Sequence, residues 1–185
     1  MFTVTKKKFA DFNIMSAGLH KAIICAFAET KPKIAPWSDI TKQTQVTFEN
    51  EEGAKISMWN NFIGYRNKTD FPDGKAPKGF QFMSSEGHNE NYLVNSTTKA
   101  RVVSDERTAD AVRIFLEFLE ESGTVEEGQE FNSIDEIITF ATEHLLGTEM
   151  GVKVRLNEQN KSEVHHTMSL ANVEAKLLAS VEADA

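Results

Sequence analysis

The sequence predicts a β-rich α+β fold in which strands come first, two helices follow, and a hairpin closes the chain. Three observations carry that expectation. Apolar and polar residues alternate with a period of two through residues 43 to 61, and again from 152 to 156. Helical spacing of apolar residues is concentrated between these stretches, at 104 to 147. The length of 185 residues suits one well-buried core and is short for two, so a single domain over 1–185 with a helical insertion is expected.

The first element, "GLHKAIICAFAET" at 18 to 30, is an apolar, β-tolerant run bounded by Gly18 and by the proline-containing break "KPKIAPW". "QTQVTFEN" and "AKISMWNNF" then read as a hairpin across "EEG", where Gly53 supplies the positive φ of a tight turn. Val46 and Phe48 alternate with Gln45, Thr47 and Glu49, which makes one face core and the other polar. In the second arm Ile56 and Met58 share a side, and Lys55, Ser57 and Trp59 share the other. A large aromatic therefore stands on what should be the wet face.

Residues 63 to 90 are rich in Gly, Pro, Asn, Asp and Ser, with only "GFQFM" strand-like, and long loops of this kind usually carry function. "NYLVN" and "KARVV" offer a further pair of short strands. The helix "SDERTADAVRIFLEFLEESG" opens on Ser104 and Asp105, and places Val112, Phe115 and Leu119 on one side before Gly123. "SIDEIITFATEHLLG" opens on a capping box of Ser133 and Glu136 and stops at Gly147. The closing hairpin is "GVKVRLNEQNKSEVHHTMS", and residues 171–185 read as a weak C-terminal helix and tail.

Ordinary apolar and charged fractions, with no run of about 18 apolar residues, point to a globular chain that does not span a membrane. The N-terminus lacks the apolar core of a signal peptide, and the single Cys25 has no intramolecular partner, so a cytoplasmic location is expected. Cys25 lies within "AIICAF" and reads as a buried, inert thiol. The net charge of −8 is uneven: residues 105 to 149 hold 13 acidic and 2 basic side chains, a net of −11, which leaves +3 for the remainder. The acidity belongs to the helices, and the strand-rich part is mildly basic.

Enzyme signatures are missing. The chain has no phosphate-cradling GxxxxGK[ST], no strand-linked GxGxxG, no GxSxG and no HExxH. No cofactor or metal is expected, since His165 and His166 are adjacent and would point to opposite faces of a strand. Acidic pairs in "FLEFLEESG" and "TVEEGQEF" fit solvated helix edges and a turn.

The aromatic and basic pattern remains. Trp59 shares its face with Lys55, Ser57 and Asn61, Gln43, Gln45 and Thr47 face it from the opposing arm, and Trp37, Tyr65 and Arg66 lie close in sequence. Rings for bases to stack on, beside groups that track phosphates, are what single-stranded nucleic acid needs.

The segments "GLHKAIICAF", "WSDITKQTQVTFENEEGAKISMWNNFIGYRNK" and "LLGTEMGVKVRLNEQNKSEVHHTM" resemble the small OB-fold proteins of phages and mobile elements that bind single-stranded DNA. The resemblance covers 18 to 68 and 145 to 168. It implies an OB-fold-like five-stranded Greek-key barrel with a two-helix insertion before the closing hairpin, and a non-enzymatic role in DNA replication or recombination. It also implies a binding face at Thr44 to Thr47 and Lys55, Ser57, Trp59 and Asn61. The expected DNA-binding residues are then Trp59 and Tyr65 for stacking, Lys55, Arg66, Lys68, Lys42 and Lys153 for phosphates, with Trp37 and Asn61 alongside. The acidic helices at 104–147 should pack away from that face, where they would suit a protein partner. A phage or mobile-element interaction module using those helices is the alternative, and a single barrel's weak grip on DNA would favour a homo-oligomer.

Overall fold

The computed structural model describes residues 13–30, 42–84 and 91–184. Seven strands are present among them, β1 (Gly18–Thr30), β2 (Gln43–Asn50), β3 (Lys55–Asn61), β4 (Phe80–Ser84), β5 (Asn91–Asn95), β6 (Glu149–Leu156) and β7 (Ser162–Met168). Three α-helices accompany them, α1 (Asp105–Glu121), α2 (Ile134–His144) and α3 (Leu170–Ala183). No helix among the described residues is long and apolar enough to cross a membrane.

Five strands form one antiparallel sheet in the order β3-β2-β1-β6-β7, and β4 pairs with β5 separately. β1 holds the sheet together by serving two partners: residues 18 to 23 pair with β6, and residues 22 to 30 pair with β2. The changeover needs a bulge between Ile24 and Ala26. Cys25 falls at that bulge, so the expectation of a fully buried thiol is corrected: it is half-buried, with its thiol donating to the Thr47 carbonyl at 3.5 Å. Burial pushes that thiol's pKa up, which keeps it protonated and inert.

The expected five-stranded β-rich α+β architecture is present, but its sheet does not close into a barrel. The outer strands β3 and β7 run parallel and their Cα atoms approach within 8 Å, but no hydrogen-bonded ladder joins them, so the sheet curls without closing. Its inner face is apolar, as the period-two pattern requires. Val46, Phe48, Ile56, Met150, Val152 and Val154 all bury into one core. α1 and α2 cover that core with Phe115, Phe118, Leu119, Ile137, Ile138 and Ala141. Phe62 meets Phe115 edge-on at 4.9 Å and Phe48 meets Phe118 at 6.3 Å. Such pairs add about 0.5–1.5 kcal/mol each beyond burial.

Both covering helices begin where serines cap them. The Ser104 and Ser133 hydroxyls accept from the N–H groups of Arg107 and Glu136. The second capping box is shifted by one residue, because the Glu136 carboxylate accepts from the Asn132 N–H. The C-terminal helix is longer than its composition suggested, with Ser169 accepting from the Asn172 N–H at its start. It lies against β6 where Gly151 leaves room: a Cβ there would stand 2.5 Å from Val173 Cβ and Met168 Cγ. "NYLVN" forms β5 as expected, but its ladder is with β4, and "KARVV" contributes only isolated bridges at Arg101 and Val103.

Gly64 joins the sheet to α1. Its carbonyl accepts from Ser104 N–H at 2.8 Å, and its own N–H donates to Thr108 Oγ1 at 3.0 Å. A Cβ at this position would overlap the Arg107 side chain and lie 2.7 Å from the Arg107 carbonyl carbon and 2.9 Å from Thr108 N. Because backbone must move to admit it, Gly64→Ala should destabilise by ~1–3 kcal/mol, lowering the melting temperature by roughly 2–12 °C in a chain of this size. Thermal unfolding followed by circular dichroism checks this, and an unchanged midpoint would contradict it.

Candidate nucleic-acid interface

Strand alternation leaves the outer face of β1, β2 and β3 clear of the helices that cover the inner one. Four cross-strand rows make up that face. Trp59 stands opposite Gln45 and then Ala28, Asn61 opposite Gln43 and Thr30, Ser57 opposite Thr47 and Ala26, and Lys55 opposite Glu49 and Ile23. Short side chains tie the rows flat. Thr30 donates to Gln43 at 2.8 Å, Gln43 donates to Asn61 at 2.7 Å, and the Thr47 and Ser57 hydroxyls lie 2.8 Å apart. Trp59 rises from this low polar floor with 57% of its surface exposed. Met58, the residue before Trp59, packs against the core opposite the buried Val46, and Ile56 is buried further along the strand, so the indole cannot turn inward without breaking the register.

The other expected residues are placed differently. Thr44 belongs to the inner face and is fully buried, which removes it from the implied binding face. Trp37 lies outside the described residues. Lys55 pairs with Glu49 at 3.3 Å, while Lys42 is bonded to Asp135 at the start of α2 and lies 4.0 Å from Glu29. The hydrogen bond to Asp135 holds the Lys42 ammonium's pKa above its ordinary value. Both lysines thus face carboxylate partners.

Tyr65 and Arg66 leave the sheet for a second aromatic cluster. The Tyr65 ring sits edge-on to Tyr92 at 6.2 Å, and the Arg101 guanidinium lies 5.0 Å from one ring and 4.4 Å from the other. Burial raises the Tyr65 phenol's pKa. Arg66 covers the Phe71 ring at 4.6 Å, and Phe71 packs on Phe82. Tyr65 is thus already engaged on one side, whereas Trp59 is open. Lys68 opens the 3-10 turn Lys68–Asp70, which Asn67 caps.

Lys153 lies on β6, directly across from His166. Here the reading of the histidine pair is corrected. A bulge on β7 leaves His165 without a ladder partner, so His165 and His166 no longer point to opposite faces: both are exposed, with ring centroids 5.1 Å apart. Adjacent histidines give no hint of a bulge in sequence, because the missing partner lies on the facing strand. Two apolar residues that the alternation pattern does not mark out are exposed here. Ile23 lies on the face itself, and Ile14 extends its Lys55 row through a parallel bridge. Among the described residues no group of three or more His, Cys, Asp or Glu is arranged to hold a metal ion.

No family model matches this chain, and no curated protein matches it.

The link between the second aromatic cluster and α1 is ionic. Arg107 donates to Asp70 at 2.7 Å and to Asn67 at 3.2 Å. That guanidinium, helped by the Asn67 N–H, holds the Asp70 carboxyl below the usual carboxylate range. A lowered folded-state pKa means stabilisation that is complete above the ordinary carboxylate pKa and lost as pH falls through the lowered one. Asp70→Asn should therefore lower the melting temperature at neutral pH and show a shallower fall than the parent between neutral pH and acid. Parallel melts of the two chains across that range provide the check.

Proposed function

We propose that this protein binds single-stranded DNA with little sequence preference, and that bases stack on Trp59 across the β2–β3 face. The reading is of a non-enzymatic binding protein, of the kind that phages and mobile elements use in replication or recombination. The observation that carries it is the exposed indole on a flat, hydrogen-bonding strand face whose register forbids its burial. Sheet order adds support. A meander of three strands, a helical insertion and a hairpin, arranged β3-β2-β1-β6-β7 with parallel outer strands facing each other, is the connectivity of a partly open OB barrel. In that architecture the second and third strands receive the oligonucleotide. The acidic helices cover the opposite face of the sheet, where their charge does least to repel phosphates.

With Lys42 and Lys55 paired to carboxylates, stacking supplies more of the affinity than charge. Two to four phosphate contacts from Arg66, Lys68, Lys153 and a displaced Lys55 would give a log–log salt slope of about −1.5 to −3. In a Trp37→Phe chain, oligo-dT should quench Trp59 fluorescence saturably. Trp59→Ala should weaken binding by about 5- to 150-fold, the equivalent of ~1–3 kcal/mol of stacking per base, with the melting temperature unchanged. Absence of quenching at tens of micromolar protein in low salt would sink this reading and favour a protein partner on α1 and α2.

A further inference from the structure

We propose that the β6–β7 hairpin and α3 form a second phosphate-binding locus, made of Lys153, His165, His166 and Lys176, which grips single-stranded DNA more tightly as pH falls from 8 to 6. This inference rests on the single-strand binding proposed above and extends it to another part of the sheet. The bulge on β7 brings both imidazoles onto one exposed edge, 5.1 Å apart. Lys153 stands across the ladder from His166, and α3, which carries Lys176, packs on β6 beside them. α3 is seated on β6 at Gly151 through Val173, one turn before Lys176.

Charge makes the cluster unusual. In a chain of net charge −8, four basic side chains gather here and none forms an ion pair with a carboxylate among the described residues. Four acids on the surrounding elements are engaged elsewhere. Glu149 on β6 and Glu174 on α3 both bind Lys21 of β1, at 3.7 and 3.1 Å. Glu163 on β7 binds Arg155 of β6 at 2.6 Å, and Glu121 of α1 accepts from the Thr167 hydroxyl at 2.7 Å. Burial, then His165, Lys153 and Lys176, hold His166 below the ordinary histidine range. A phosphodiester placed among these groups offsets their mutual repulsion and favours imidazolium, whose two N–H groups both donate. Binding then takes up protons, so affinity rises as pH falls.

The test is anisotropy of rhodamine-labelled oligo-dT without terminal phosphates, at constant ionic strength and at pH 8 and pH 6. Thymine and the phosphodiester do not titrate in that interval, which leaves the protein as the source of any change. The Kd of the parent chain should fall by about 3- to 10-fold between the two values. His165→Gln/His166→Gln should match the parent at pH 8 and lose that gain at pH 6. Lys176→Gln, on the exposed side of α3, should weaken binding at both values, and it serves should the histidine double variant fold poorly. A pH-independent Kd in the parent, or a gain that survives the double variant, overturns the second locus while leaving Trp59 stacking intact. Failure of the parent to bind oligo-dT at either pH overturns both.

Discussion

One face of the five-stranded sheet must be dry, and everything that faces the other side follows from that. Val46, Phe48 and Ile56 are committed to the core beneath α1 and α2, and the pleat allows no freedom in between. A slip of β3 by one residue against β2 would bury Lys55 and Ser57 and expose Ile56, at roughly 1.5–3 kcal/mol for that aliphatic side chain alone. Trp59 is held outside by the burial of its neighbours. Its exposure is a consequence of register, which is why an interpretation as misplaced core does not fit.

The same constraint sorts charge in space. α1 and α2 carry nine of the chain's 28 acidic residues and must offer their apolar stripes to the inner face, so their carboxylates are directed away from the outer one. Asp135 is the instructive exception, since the first turn of α2 reaches Lys42 at the end of β2. There an acidic helix touches the margin of the candidate interface and reduces its positive charge. In the proposed binding mode, phosphate attraction is thereby shifted toward Arg66 and Lys68 on one side and Lys153 on the other, and the middle of the face is left to stacking and hydrogen bonds.

Much of the fold is legible in local pattern. β1 begins at Gly18, the β2–β3 turn lies at Gly53 with φ of +75°, and α1 and α2 start after serines whose hydroxyls do cap them. Each of these signals concerns residues within a few positions of one another. What pattern could not supply depends on distant partners. The Lys42 to Asp135 bond spans 93 residues, and the bulges at Cys25 and His165 arise from the strand opposite. Whether outer strands pair or merely approach is likewise a matter of sheet coil, to which period-two alternation is blind. Tyr65 illustrates the cost: its spacing from Trp59 suggests a second platform, while its actual neighbours, Tyr92 and Arg101, come from more than 25 residues away.

Ultraviolet crosslinking of the intact protein to oligo-dT, with the attached peptides mapped by mass spectrometry, tests base stacking at Trp59 most directly, because only residues in contact with a base react. Crosslinks concentrated in residues 43–61, with Trp59 itself modified, are the predicted result. Crosslinks confined to the α1–α2 segment, or none under conditions where the oligonucleotide is bound, would contradict it.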